Sequence, residues 1–247
     1  LTDGFSTTGS CGYGLGSVNR LMDELDIQSR RGQGAHVTCR KWRRDDAPSP
    51  SACPLDIGVA SRPKPGMDLN GDSFVVKRWA ASALVGVIDG LGHGEPAHRA
   101  ARAARDYVEN HFDQPPVRIF TGTGHACRGT RGCVMARARI DWGQGRLEFA
   151  SVGNIEARVL CRHGPLNFNI RRGVVGMNAP EPKVTGHDWA SDNLLLLHSD
   201  GLLSHWRWED FPGLTRLPAS QMALHLLRAL AREGDDATAL VVKPVSA

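Results

Sequence analysis

The residues that could carry out chemistry are aspartates, which recur where β-rich segments begin or end. The run from Val85 to Ile88 is short and apolar, which is typical of a buried strand, and Asp89-Gly90 follows it directly. The other aspartates of this kind are Asp72, Asp200 and the pair Asp235-Asp236. A single Asp-Gly dipeptide is common in turns, so the indication lies in the recurrence.

Carboxylates at neighbouring strand ends converge on one edge of a sandwich, where they repel one another unless cations lie between them. Oxygen ligands of this kind select Mg²⁺ or Mn²⁺ over zinc. Two such ions about 3.5–4 Å apart lower the pKa of a shared water and direct it at a phosphoryl group. The pattern therefore predicts in-line hydrolysis of a phosphoester without a covalent intermediate.

The elements that must position these aspartates are strands with a few helices between them. After Asp89, apolar residues from Ala97 to Phe112 share one helical face, and a second helix is expected from Val117 to Cys127. A last helix is expected from about Ser220 to Gly234. Strands are expected at 55–60, 73–79, 83–88, 132–141, 146–151, 155–161, 193–198 and 237–242. This order predicts an α+β fold with mainly antiparallel sheets.

The N-terminal part of the chain differs in composition from the rest. Residues 3–19 are rich in Gly, Ser and Thr, a short helix is expected from Val18 to Leu25, and residues 35–42 alternate like a strand. This segment resembles the C-terminal end of the histidine-kinase-like (GHKL) ATPases, in particular the RsbT-type anti-sigma serine kinases. The resemblance implies that Gly12, Gly14 and Gly16 close over the phosphates of ATP. The upstream half of such a domain is absent, so a glycine loop without bound ATP is the alternative.

This change of composition divides the chain into three segments. Residues 1–42 are interpreted as the C-terminal fragment of a GHKL ATPase-like domain. Residues 43–54 are charged and then proline-rich, which is typical of a linker. Residues 55–247 are interpreted as the domain that carries the aspartates.

Four motifs in a fixed order resemble those of the metal-dependent serine/threonine protein phosphatase (PPM) family. They are Gly71-Asp72, then Val87-Ile88-Asp89-Gly90-Leu91-Gly92-His93-Gly94, then His198-Ser199-Asp200-Gly201, and finally Asp235-Asp236-Ala237-Thr238. The resemblance spans residues 55–244. Within the family, these residues resemble most the SpoIIE-like branch and, in that branch, the RsbX-type regulators of stress signalling. It implies an antiparallel β-sandwich flanked by helices, in α-β-β-α layers, and two Mn²⁺ or Mg²⁺ ions.

The resemblance also implies a role for each ligand. Asp89 bridges the two ions, the carbonyl of Gly90 is the adjacent ligand, and Asp72 holds one side. Asp200 and the last motif hold the other ion. In that motif Asp235 is favoured because it stands three residues before Thr238, and Asp236 remains the alternative.

Two further groups are candidates for contacts with substrate. Many relatives place a histidine directly after Asp-Gly, where it can protonate the leaving serine oxygen, whereas here Leu91 and Gly92 precede His93. His93 is thus a candidate general acid, with a loop histidine bonded to the backbone as the alternative. Arg128 and Arg131 could contact substrate, or belong to a solvated turn.

Composition restricts the function classes. A formal charge of +4, with no dominant basic run, gives no case for nucleic acid, and no apolar stretch reaches the roughly 20 residues of a membrane helix. Six scattered cysteines without a CxxC motif favour a reducing cytoplasm.

The motifs together predict a cytoplasmic phosphatase that acts on phosphoserine or phosphothreonine of a small bacterial regulatory protein, such as a phosphorylated STAS-domain antagonist. A non-catalytic docking module with the same fold and an ATP-binding regulatory kinase fragment are the alternatives.

Overall fold

The computed structural model describes residues 24–30, 34–40, 53–162, 164 and 166–245. The chain divides into two compact units, Leu1–Ser49 and Pro50–Ala247. This division falls within the segment 43–54 that the composition marks as a linker. Gly12, Gly14 and Gly16 lie outside the described residues, so the ATP-loop interpretation remains a prediction.

The described part of the first unit is an antiparallel pair of strands. Strand β1 (Glu24–Arg30) pairs along its whole length with β2 (Gly34–Arg40), in a register that sets Glu24 opposite Arg40. The expected strand after residue 34 is therefore present. The expected helix lies largely outside the described residues, and its last member, Leu25, belongs to β1, because pairing with β2 fixes that stretch as a strand.

In the described residues of the second unit, nine strands form two antiparallel sheets. They are β3 (Leu55–Arg62), β4 (Asp72–Trp79), β5 (Ser82–Gly90), β6 (Cys133–Asp141), β7 (Arg146–Val152), β8 (Glu156–Leu160), β9 (Thr185–Asp188), β10 (Leu194–His198) and β11 (Ala237–Pro244). One sheet has the order β3-β11-β10-β8, and the other has the order β4-β5-β6-β7-β9. The sheets face each other across a buried apolar core that includes Val85, Phe149 and Leu195.

In the part of the chain that the structure describes, three α-helices cover the outer faces of the sandwich. Helix α1 (Glu95–Asn110) and helix α2 (Pro116–Ala126) pack on the five-stranded sheet, and the alanine face of α1 is buried there. Helix α3 (Ala219–Leu230) packs on the four-stranded sheet. Gly58 of β3 makes this contact possible, because a β-carbon there would overlap the backbone of Ser220. The prediction of an α+β sandwich in α-β-β-α layers is confirmed.

The last helix is shorter than its sequence pattern. It ends at Leu230, whereas the apolar spacing and Gly234 suggested four more residues. The reason lies in the loop after β10, where Leu202 forms a bridge with Ala231 and the Leu203 N–H donates to the Leu230 carbonyl at 2.9 Å. In the described part of the chain, no helix has the length and apolar character that a membrane span requires.

Candidate metal centre

Asp72 and Asp89 face each other across two paired strands. Asp72 opens β4, Asp89 is the penultimate residue of β5, and the register places them directly opposite. The tight connection from Trp79 to Ser82 fixes this register. A one-residue slip would also exchange the side chains of β5 between the two faces of the sheet. The Gly90 N–H also donates to the carbonyl of Gly71 at 3.0 Å, which holds both strand ends together.

The remaining aspartates lie at one end of the other sheet. Asp200 follows β10, and Asp235-Asp236 precedes β11, which is the neighbour of β10. Since these strands are antiparallel, the end of one meets the beginning of the other. The Ser199 N–H donates to the Thr238 carbonyl at 3.1 Å and extends this pairing toward Asp200.

Ser199 joins the two sheet ends. Its buried hydroxyl donates to Asp72 Oδ2 at 2.6 Å and accepts from the Thr238 N–H at 3.0 Å. Thus one side chain connects the start of β4 in the five-stranded sheet with the start of β11 in the four-stranded sheet. The predicted convergence of the four acidic positions therefore has a physical basis in the fold.

Glycines after two of the aspartates let the surrounding loops approach closely. A β-carbon at Gly90 would overlap the carbonyl of Ala97 in α1, and one at Gly201 would overlap the carbonyl of Asp236. The Asp-Gly dipeptides therefore combine a carboxylate with the space for a neighbouring backbone. This requirement comes from packing between distant segments, and the sequence alone does not identify which segments approach these glycines.

The electrostatics confirm that these carboxylates influence one another. Burial, followed by the charges of Asp72, Asp200, Asp235 and Asp236 in that order, raises the pKa of Asp89 to about 9. Burial likewise raises the pKa of Asp72 to about 7, against the lowering effect of its hydrogen bond with Ser199. Such a set of oxygen groups, each of which disfavours the charge of the next, matches the needs of a hard divalent cation.

The neighbouring residues Asp235 and Asp236 have different surroundings. Asp236 is buried, its Oδ1 accepts from the Lys64 N–H at 3.0 Å, and its Oδ2 is buried without a hydrogen-bond partner. Asp235 is more exposed, and burial followed by the charge of Asp200 raises its pKa. The assignment of Asp235 as ligand and Asp236 as alternative remains a prediction. Oδ2 of Asp236, which has no hydrogen-bond partner among the described residues, is an oxygen that could ligate an ion.

Several polar residues that the sequence did not single out support the site. Asn154, in the turn between β7 and β8, donates to Asp200 Oδ2 at 2.7 Å. Asn70 accepts from the Asp72 N–H at 2.9 Å and donates to Ser61 at 2.7 Å. Gly153-Asn154 and Asn70-Gly71 are residue pairs typical of turns, and nothing in the local sequence indicates their partners.

The chemistry of these carboxylates fits divalent cations, because their oxygens are the ligands that Mg²⁺ and Mn²⁺ prefer. Among the described residues, no three acidic, histidine or cysteine side chains have the spacing that would hold a single ion.

The other residues that the sequence suggests for contact with substrate lie in exposed turns. His93 is exposed in the turn between β5 and α1. Arg128 and Arg131 are both exposed in the turn before β6, but only Arg131 reaches the loop after Asp89.

Trp206 is buried beneath α3, where Trp208 and Phe211 pack against it edge to face, so it contributes to the core.

Comparison with known proteins places this site in a family. Residues 80–244 match the family model for stage II sporulation protein E (SpoIIE). A chain from a study of the bacterial stressosome, a modular system adapted to control secondary messenger signalling, is 31% identical with a TM-score of 0.73, covering 76% of this chain and 99% of that chain. RsbX in complex with magnesium has a TM-score of 0.67 at 18% identity, covering 90% of this chain and 100% of that one, and supports the fold.

Two relatives from the same organism differ in how much of the chain they match. The phosphoserine phosphatase RsbX of Bacillus subtilis is 26% identical over 140 residues, which are 56% of this chain and 70% of the relative. The serine/threonine-protein kinase RsbT of the same organism is 48% identical over 44 residues, which are 18% of this chain and only 33% of the kinase. The family model covers two thirds of the chain and includes Asp89, Asp200 and Asp235. This chain therefore belongs to the SpoIIE branch of the metal-dependent serine/threonine protein phosphatases.

Proposed function

We propose that this chain removes phosphate from phosphoserine or phosphothreonine of a small bacterial regulatory protein, a STAS-domain antagonist, in stress or sigma-factor signalling. The observation that carries the proposal is the meeting of four acidic strand ends at one edge of the sandwich. The similarity to the phosphoserine phosphatase RsbX and to a stressosome chain supports the class of substrate and partner.

Two Mg²⁺ or Mn²⁺ ions would be held by Asp72, Asp89, the Gly90 carbonyl, Asp200 and Asp235, and would supply an activated water and positive charge beside the phosphorus. The chain itself fixes the directions of these ligands. Ser199 holds Asp72 and Asn154 holds Asp200, while Arg62 donates to the Asp235 carbonyl at 3.2 Å. Hydrogen bonds of this kind orient metal ligands and commonly change metal affinity by 10- to 100-fold.

His93 is proposed as the general acid that protonates the leaving serine oxygen. It is exposed at the turn that follows Asp89-Gly90, so a substrate bound at the carboxylates could approach it. If His93 donates this proton, His93→Gln should slow hydrolysis of a phosphoserine peptide by about 100-fold, within the usual range for such catalysis. Hydrolysis of p-nitrophenyl phosphate should change little, because its leaving group needs no proton. Equal losses on both substrates would assign His93 a structural role.

The decisive experiment measures phosphate release by the full chain with EDTA, Mg²⁺ and Mn²⁺ in turn. The substrates are p-nitrophenyl phosphate and a phosphorylated STAS-domain protein, and Asp89→Asn is the matched variant. Metal-dependent turnover that the variant lacks would support the proposal. A folded protein that releases no phosphate with either metal would instead favour the non-catalytic docking module.

A second proposal concerns the first unit. We propose that residues 1–42 are the C-terminal part of a GHKL ATPase-like domain, because their glycine segment resembles such domains and because the kinase RsbT is 48% identical to this chain over 44 residues. A kinase-like and a phosphatase domain in one protein would add and remove the same phosphate. A full-length protein that phosphorylates a STAS partner which the phosphatase domain cannot then dephosphorylate would contradict this. Titration with a fluorescent ATP analogue tests whether the present segment binds nucleotide by itself.

A further inference from the structure

We infer that Arg131 binds the phosphate group of the substrate from the loop opposite Asp89. The inference rests on the phosphatase function proposed above and adds a residue to its site. Arg131 lies in the turn between α2 and β6, more than 40 residues after Asp89 in the chain, and the sequence left contact with substrate and a solvated turn as its alternatives.

The guanidinium of Arg131 lies directly over Gly92, in the loop that follows Asp89-Gly90. A β-carbon at Gly92 would lie 2.7 Å from Nη1 of Arg131, so the arginine occupies the space that any side chain at position 92 would take. Gly92 has a φ of +90°, which side-chain-bearing residues rarely adopt. Both features reserve this position for glycine and leave the loop open to the arginine.

The turn that carries Arg131 is held firmly. The Thr130 hydroxyl donates to the Cys127 carbonyl at 2.7 Å and accepts from the Gly132 N–H at 3.0 Å. The Leu91 N–H donates to the Gly132 carbonyl at 3.1 Å, and Cys133 pairs with Gly90. The backbone on either side of Arg131 is therefore fixed relative to the strand end that carries Asp89.

The guanidinium is available for a ligand. The Arg131 side chain is exposed, and among the described residues it has neither an ion-pair partner nor a hydrogen-bonded acceptor. Arg62, which also lies near the aspartates, is different, since its guanidinium donates to the carbonyls of Pro63, Asp235 and Arg232. An arginine with free donors on a backbone that is fixed beside the end of β5 suits a phosphate dianion, to which it can donate two parallel hydrogen bonds.

Arg128 provides a matched control from the same turn. Its side chain is also exposed, but it lines a separate groove of about 290 Å³ with His125 and Glu181, beside α2. Both arginines therefore contribute a positive charge near the same turn, and only Arg131 reaches the loop after Asp89. Removal of either charge changes the general field similarly, so a difference between the variants reports a direct contact.

The test measures binding of inorganic phosphate to the Mn²⁺-loaded full chain by calorimetry, alongside steady-state hydrolysis. Arg131→Gln should weaken phosphate binding by at least tenfold, because hydrogen bonds between two charged groups are stronger than those between neutral groups. Arg131→Lys should recover part of the loss, and Arg128→Gln should leave phosphate binding within twofold of the unchanged chain. KM for p-nitrophenyl phosphate should rise in parallel in Arg131→Gln, while Mn²⁺ affinity without phosphate stays constant.

Phosphate binding that is equal in Arg131→Gln and the unchanged chain would overturn the inference, as would equal losses in the Arg128 and Arg131 variants. Failure to detect any phosphate binding by the metal-loaded chain would also overturn it. The phosphatase proposal fails separately, when the unchanged chain shows no metal-dependent turnover, because the binding measurement does not depend on turnover.

Discussion

Asp89→Asn should make the metal-free protein more stable at neutral pH, because Asp89 disfavours the folded state when it is charged. Its pKa in the folded protein is about 9, above its ordinary value of 3.8. Between these pH values the folded state keeps a proton that the unfolded chain has lost. The free energy of unfolding therefore decreases as pH rises through this window, by up to about 1.4 kcal/mol per pH unit.

The size of the effect follows from this window. At pH 7 the span above 3.8 corresponds to about 4 kcal/mol for one fully retained proton, which is an upper limit because Asp72 shares the repulsion. Asparagine has nearly the same shape and carries no charge, so the variant should lack this component. We expect a gain of about 2–4 kcal/mol at pH 7 that shrinks toward zero near pH 4.

The assay is urea unfolding in EDTA at several pH values between 4 and 8.5, followed by the same measurement with Mn²⁺. Added Mn²⁺ should stabilise the unchanged chain by about 2.7 kcal/mol at 100 times its Kd and should stabilise the variant far less. Asp188→Asn is the control, because Asp188 forms only an exposed pair with Arg146, and such pairs contribute little. Parallel stability curves for Asp89→Asn and the unchanged chain, or a less stable variant at pH 8, would refute the reasoning.

Three more predictions test the supports of the site. Ser199→Ala should reduce the free energy of unfolding by about 2–3 kcal/mol in urea, since it leaves Asp72 and the Thr238 N–H without their buried partner; a change under 1 kcal/mol would show that water replaces the hydroxyl. Gly201→Ala should cost about 3 kcal/mol or prevent folding because of its overlap with Asp236, whereas Gly234→Ala, with open space around it, should change stability by less than about 0.5 kcal/mol. Asn154→Ala should weaken Mn²⁺ binding about tenfold in a calorimetric titration without unfolding the protein, and unchanged affinity would remove Asn154 from the site.

Sequence could predict the acidic strand ends because each depends on local information. The apolar run of β5 stops at Asp89, and Asn70-Gly71 sets the start of β4 at Asp72. Four such signals in a constant order sufficed for the sandwich and for the family. The layers of helix on sheet followed from the alanine face of α1 and the apolar face of α3.

The contacts between distant segments could not be predicted in this way. Ser199 and Asp72 are 127 positions apart, and a serine before Asp-Gly has no pattern that names its partner. Strand β9 spans only four residues, includes a glycine and has no fully buried side chain, so its periodicity is too short to recognise. The position of Arg131 above Gly92 likewise depends on the pairing of Gly90 with Cys133, which sequence spacing does not reveal.

The arrangement of the aspartates argues for a site that works with cations rather than a surface that only docks a partner. A docking module would be more stable with amides or apolar groups at these strand ends, because each buried carboxylate disfavours the charge of its neighbours. This chain instead fixes Asp72 with Ser199, which favours its charged form against the effect of burial. Ser199 also joins the two sheets, so an ion held by Asp72 would stabilise the same junction that holds the sandwich together. Ser199→Ala should therefore lower both metal affinity and folding stability, whereas Asp89→Asn should lower metal affinity and raise the stability of the metal-free protein; in a docking module neither variant would link the two quantities.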